Sequence, residues 1–284
     1  MAPDPQYPPM LGNDIFFNGD GMVSRFNFAN GKVSMRRRYV KTDRLLAQRR
    51  EGRSLNGVYR NVYTNDPLAA KKTTPPPTPP SSPHNGVLLA LKEDALPWAM
   101  DLETLETLGE WSFDGQIKAA TFTAHPKLDP VTGNLLACSY EAKGDGTPDL
   151  AYFEISPDGK LLHEIWFQAP YAAMVHDFAV TERYVVFPLI PLTVDVDRMK
   201  KTAGRISSGN PTCPSCSPSC RATGVGKMCV GSRGPRTVSR GIRSMRSMRT
   251  TRCMWTCRSP AGISSTSSPR PTATYHRLKP WPPA

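Results

Sequence analysis

His125 lies in the segment FTAHPKLDPVTG (residues 122–133) and His176 in VHDFAVTERYVVF (residues 175–187). Imidazole ligates borderline metals such as ferrous iron and moves protons near neutral pH. On spacing alone, two histidines 51 residues apart are more often ordinary surface or strand residues. Tyr59 in GVYRN (57–61), Lys92 and Glu93 in LLALKED (88–94) and Phe17 in FFNGDGMV (16–23) bring a phenol, an ammonium, a carboxylate and an aromatic ring to other short segments. Taken singly they are a hairpin tyrosine, a surface lysine, a solvated strand-end acid and a core phenylalanine. Asp94 is expected to be a solvated strand-end acid. His84 and His163 lie outside such segments and are expected to be structural.

The elements that must position these side chains are strands. From Asp14 to Val196 short alternating runs are broken by turn dipeptides, the pattern of an antiparallel all-β protein. VSRFNF and KVSMRRRYV flank Asn30-Gly31, GVLLALKE follows Asn85-Gly86, and LAYFEI and KLLHEIWF flank Asp158-Gly159. Asn-Gly and Asp-Gly supply the positive φ angles of tight hairpin turns. DLETLETLGEWSF and HPKLDPVTGNLLACSYEA repeat the strand, turn, strand order at a spacing suited to propeller or sandwich sheets. One helix is predicted over Thr42–Glu51, with Thr42 as its cap. The proline-rich run Lys71–Pro83 is incompatible with a central strand, because successive prolines remove ladder donors. It is either a polyproline loop between hairpins or a local defect in the sequence.

The segments FFNGDGMV, LLALKED, FTAHPKLDPVTG and VHDFAVTERYVVF, in that order, resemble the carotenoid cleavage oxygenase family, most closely its lignostilbene and resveratrol dioxygenase branch. The resemblance runs from about Pro3 to Lys201. It implies a seven-bladed β-propeller with an axial Fe(II) held by four histidines, of which His125 and His176 match the first two. Neutral ligands leave the divalent charge on the metal and positions open for dioxygen. Glu93 matches a carboxylate that accepts the other ring N–H of a ligating histidine and fixes its tautomer. Lys92 and Tyr59 match the pair that binds the para-hydroxyl of the substrate in the stilbene-cleaving branch. Charge and hydrogen bonding there favour the phenolate and push electron density into the central double bond. Phe17 matches a pocket aromatic. The implied reaction is oxygen-dependent scission of the central C=C of a para-hydroxystilbene, or of an apocarotenoid, into two aldehydes. The implied partners are dioxygen and a small aromatic or polyene olefin.

The charge is divided unevenly. Residues 202–284 carry 14 Lys and Arg and no Asp or Glu, so the net +12 is +14 there and −2 over residues 1–201. Leu, Ile, Val and Phe make up only 7 of those 83 residues, too few for a packed core. The expected architecture is therefore an all-β, incomplete seven-bladed β-propeller over residues 1–201, with roughly three blades' worth of strands, and a disordered basic tail over residues 202–284. A nucleic-acid role is not expected, since the basic residues of the tail lack an aromatic platform. The cysteines of CPSCSPSC and beyond lack a recurring zinc-knuckle spacing. The start MAPDPQYPPMLGND has no basic region followed by an apolar stretch, and the longest apolar run, Tyr184–Val194, is broken by Pro188 and Pro191. A soluble, cytoplasmic chain without a transmembrane segment is expected.

Acid-free sequence of this kind is what a GC-rich gene yields out of frame. Codons ACG GTT TCC CGG GGC ATA CGC for Thr237–Arg243 contain, two nucleotides along, Gly-Phe-Pro-Gly-His-Thr, which resembles the third-ligand motif of the family. The same displacement lets TTRCMWTCR (250–258) hide NKVYVDMP. A frame disruption near Lys201 is expected, and an inactive remnant lacking half the iron ligands is the alternative to an active enzyme. Transcript reads across the Lys201 codon check this: a Gly-His-Thr codon run in place of Arg240–Arg243 is the expected result, and confirmation of the acid-free frame overturns it.

Overall fold

Antiparallel sheets follow one another along the chain, each built from neighbouring segments. The computed structural model describes residues 2–12, 14–69, 81–181, 184–202, 204, 207–209 and 219–221. The first sheet pairs Ala2–Pro3, Gly21–Ala29 and Lys32–Tyr39. The second is a four-stranded meander of Ser81–His84, Val87–Ala90, Trp98–Asp101 and Thr107–Glu110. The third is another, of Lys127–Leu128, Leu135–Tyr140, Asp149–Ile155 and Leu161–Gln168. Four-stranded meanders are the blades of a propeller. Among the described residues two blades are complete, and the fold is an incomplete all-β propeller, all-β as the strand pattern predicts and a propeller as the family resemblance implies.

The hairpins turn where the dipeptides place them. Asn30 and Gly31 both take positive φ, 51° and 70°, as do Asn85 and Gly86, at 45° and 75°. The helix spans Asp43–Glu51, with the Thr42 hydroxyl accepting from the Leu45 N–H at 3.2 Å. Pro83 falls on the edge strand Ser81–His84, where a missing N–H leaves no ladder bond unmade. Residues 71–80 of the proline-rich run lie outside the described residues. Of the basic tail, Ser207–Gly209 pairs with Leu192–Val194, and Ser219–Arg221 with Tyr184–Val186. Cys213, Cys216, Cys229, Cys253, Cys257 and His276 lie outside the described residues.

Stacking of the blades makes the core. All six residues of Leu135–Tyr140 are buried, because both faces of that strand are covered. Leu135 and Ala137 join Ala151, Phe153 and Ile155 against Leu89 and Leu91 of the preceding blade. Leu136, Cys138 and Tyr140 face the other way, toward Phe178, Val185 and Phe187. Phe122 stacks on Phe153 with ring centroids 6.3 Å apart and planes within 7°. Each such ring contributes about 1.5–3 kcal/mol by leaving water. The core expectation for Phe17 is corrected: in the turn Phe16–Asn18 it is 56% exposed and meets the edge of Phe16.

Amide exchange checks this layering. Leu135–Tyr140 and Asp149–Ile155 should exchange slowest and the tip of the hairpin around Asn30-Gly31 fastest. Phe153→Ala should lower the opening free energy of the third sheet by about 3–5 kcal/mol.

Candidate metal centre and phenol site

His125 and His176 meet in the fold. Their Nε2 atoms stand 3.1 Å apart, with the rings edge to face. Residues from both motifs fix that approach. The Lys127 ammonium in AHPK bonds the Asp177 carboxylate in VHDF at 2.6 Å, clamping the two segments together. The Asp177 carboxylate also accepts from the Phe178 N–H, and the Thr123 hydroxyl accepts from the His125 N–H. Glu93 Oε2 lies 2.8 Å from His176 Nδ1. In neutral His176 that contact places the hydrogen on Nδ1 and leaves Nε2 as a lone pair. The hydrogen bond to Glu93 raises the His176 pKa against the opposing effect of burial. Burial, and next the closeness of His176, lower that of His125.

These donors fit a shared cation. Two nitrogens bound side by side about 2.1 Å from one ion stand about 3 Å apart, the spacing of these Nε2 atoms. His125 and His176 would hold the ion, and Glu93 would orient His176. Among the described residues no group of three or more His, Cys, Asp or Glu side chains gathers to hold one.

Lys92 and Tyr59 also come together. Lys92 Nζ sits 4.8 Å from the centre of the Tyr59 ring, over its face. The lysine is buried, and burial pulls its pKa down to about 8, partly offset by Asp94. Burial, reinforced by Asp94 and Glu93, pushes the Tyr59 hydroxyl well above its ordinary pKa. Gly57, two residues before Tyr59, permits the tight loop: a Cβ there would collide with the Thr64 carbonyl. Asn61 ties the same loop to the backbone at Met199 and Gly204.

The expectation of a solvated Asp94 is corrected. Its side chain is fully buried, with Oδ2 3.4 Å from both Lys92 Nζ and Arg60 Nε. Arg60 is the hub that single-residue reasoning missed. It also bonds Glu141 and Asp145, and its guanidinium lies over the Tyr140 ring. The available signal was its place beside Tyr59 in GVYRN. Phe17 lies on the exposed turn described above. His84 is buried edge-on to Phe113, and His163 is half exposed near Glu154 on an outer strand.

Residues 1–216 match the retinal pigment epithelial membrane protein family. The chain is 50% identical over 201 residues to resveratrol cleavage oxygenase 1 of Aspergillus fumigatus, covering 71% of this chain and 40% of that protein. It is 46% identical to lignostilbene-α,β-dioxygenase isozyme III of Sphingomonas paucimobilis, over 70% of this chain and 41% of that one. The crystal structure of Pseudomonas brassicacearum lignostilbene dioxygenase superposes with a TM-score of 0.77 at 76% identity, covering 82% of this chain and 48% of that one. The chain thus belongs to the carotenoid cleavage oxygenase family, whose members include stilbene-cleaving oxygenases. It spans about two fifths of the length of these curated relatives. Among the described residues no helix is long and apolar enough to cross a membrane.

Two titrations test the electrostatics. In imidazole NMR spectra, Glu93→Gln should lower the His176 pKa. Lys92, with a folded pKa of about 8 against 10.5 unfolded, opposes folding most strongly below pH 8. That opposition fades as pH rises from 8 toward 10.5, where the unfolded chain still holds the proton and the folded chain does not. Lys92→Met should therefore stabilise the chain below pH 8, by an amount that shrinks above it, in urea titrations at stepped pH.

Proposed function

We propose that this chain carries the first half of the active site of an Fe(II)-dependent dioxygenase that cleaves the central double bond of a para-hydroxystilbene into two aromatic aldehydes. The observation that carries the reading is the joining of two sites through adjacent residues. Glu93 holds His176, and Lys92 meets Tyr59. Iron, when bound, supplies the activation of dioxygen.

The chain's own residues do the rest. His125 and His176 present their Nε2 lone pairs to the metal, and Glu93 keeps His176 in the ligating tautomer. Below pH 8 Lys92 carries a positive charge in a buried setting, where it favours the phenolate of a substrate phenol. The Tyr59 hydroxyl stays protonated, with Asp94 beside it as an acceptor, and would turn from that carboxylate to donate to the same oxygen. Loss of the phenol proton raises electron density along the conjugated system to the bond that breaks. The named relatives act on resveratrol and lignostilbene, which favours a phenolic stilbene over a carotenoid.

The test is oxygen uptake and aldehyde formation by the frame-corrected protein. Turnover of 4-hydroxystilbenes is expected, and Lys92→Ala should remove the dependence on a free 4-hydroxyl. Ready turnover of β-carotene with none of stilbenes sinks the reading. The 284-residue chain, presenting two converging imidazoles, should hold iron weakly, well below one ion per chain, and should not turn over.

A further inference from the structure

We infer that Asp94 is a positioning residue of the phenol site, holding the Lys92 ammonium in place and charged while leaving its hydrogen-bond donors free. This rests on the assignment of Lys92 and Tyr59 as the groups that grip a phenol. The geometry at Asp94 is unusual. Its carboxylate and the Lys92 ammonium are both shut off from water, yet neither makes an aligned hydrogen bond; they face each other at 3.4 Å. A buried carboxylate or ammonium left in this state costs free energy, which opposite charge nearby offsets. Asp94 has two such neighbours, Lys92 and Arg60, each at 3.4 Å. Arg60 is itself committed elsewhere, to Glu141, Asp145 and the Tyr140 ring. It therefore shares Asp94 Oδ2 with Lys92 while the rest of its guanidinium is held by those other partners.

The arrangement separates holding from binding. A carboxylate in aligned hydrogen-bond contact would fix Lys92 but use up a donor. At 3.4 Å, Asp94 supplies Coulomb attraction, which falls slowly with distance, and takes little of the directional bonding, which falls steeply. The face of Tyr59, 4.8 Å from Nζ, adds cation–π attraction of the same undirected kind. The ammonium is thus located by two forces that leave its N–H groups for an incoming phenolate oxygen. The charged groups acting on Lys92 are Asp94, Arg44 and Arg60, of which Asp94 alone favours the ammonium. Without it, Arg44 and Arg60 repel the ammonium unopposed.

Fluorescence titration of the 284-residue chain with trans-4-hydroxystilbene and its 4-methoxy ether tests the inference through the ratio of the two dissociation constants. The wild-type chain should favour the phenol, since a charge-assisted hydrogen bond contributes about tenfold or more in affinity. Asp94→Asn should reduce that preference about tenfold, as Lys92→Met does, and the double variant should lose no more than either single one. Asp94→Glu should retain the preference within about threefold, and so should Asp145→Asn, which removes the exposed partner of Arg60. Slow amide exchange in Leu135–Tyr140 shows that each variant is folded, and the Asp94→Glu and Asp145→Asn variants decide the question where Asp94→Asn is not. If Asp94→Asn keeps the preference while Lys92→Met loses it, or if Asp94→Glu fails to rescue, the role of Asp94 is overturned and the phenol site stands. If the wild-type chain binds phenol and ether alike, the phenol site itself falls, and the role of Asp94 with it.

Discussion

The contact between His176 Nδ1 and Glu93 Oε2 links segments 83 residues apart in sequence. The proposed chemistry depends on it. It fixes which nitrogen of His176 is free and the direction in which that nitrogen points. It also pins residues 92–94, because Glu93 cannot shift without breaking the bond. Lys92 and Asp94, on either side, are thereby held near both the paired imidazoles and the Tyr59 loop. A single short stretch of backbone serves both proposed sites, so the distance from the paired imidazoles to the Lys92–Tyr59 pair is set by local geometry rather than by the packing of distant blades.

The blades provide the rigidity that this arrangement needs. His125 follows Phe122, which is locked in a stack between Phe113 and Phe153. His176 precedes Phe178, which packs in the layer containing Cys138 and Phe187. The two histidines thus leave two different hydrophobic layers and converge at their rim. The Lys127–Asp177 pair lies at that convergence, half exposed, where an isolated ion pair adds little stability. Its contribution is to alignment.

Much of this was legible from sequence because the relevant signals are local. Alternation and Asn-Gly turns marked the hairpins, Thr42 marked its helix, and four short segments together with GVYRN carried the resemblance that singled out His125, His176, Glu93, Lys92 and Tyr59. The Arg60 network was not legible. Asp94, Glu141 and Asp145 are far from Arg60 in the chain, and a charged residue is exposed unless something specific pairs it. Nothing local reveals that Arg60 supplies that pairing for all three. Phe17 failed for the opposite reason: its hydrophobic type suggested a core, whereas its turn holds it at the surface.

The first hairpin differs from the blades behind it. Phe26, Phe28, Val33 and Met35 are all more than half exposed, and Lys32–Tyr39 is an edge strand among the described residues. Such an edge invites a second chain to extend the sheet. Four cations, Lys32, Arg36, Arg37 and Arg38, stand along it, so two copies approaching edge to edge must bring like charges together. This protection is colloidal in nature. Its reach is the Debye length, about 10 Å at 0.1 M salt and about 3 Å at 1 M. Concentrated electrolyte would therefore let this hairpin stick to its own kind while every blade remained folded.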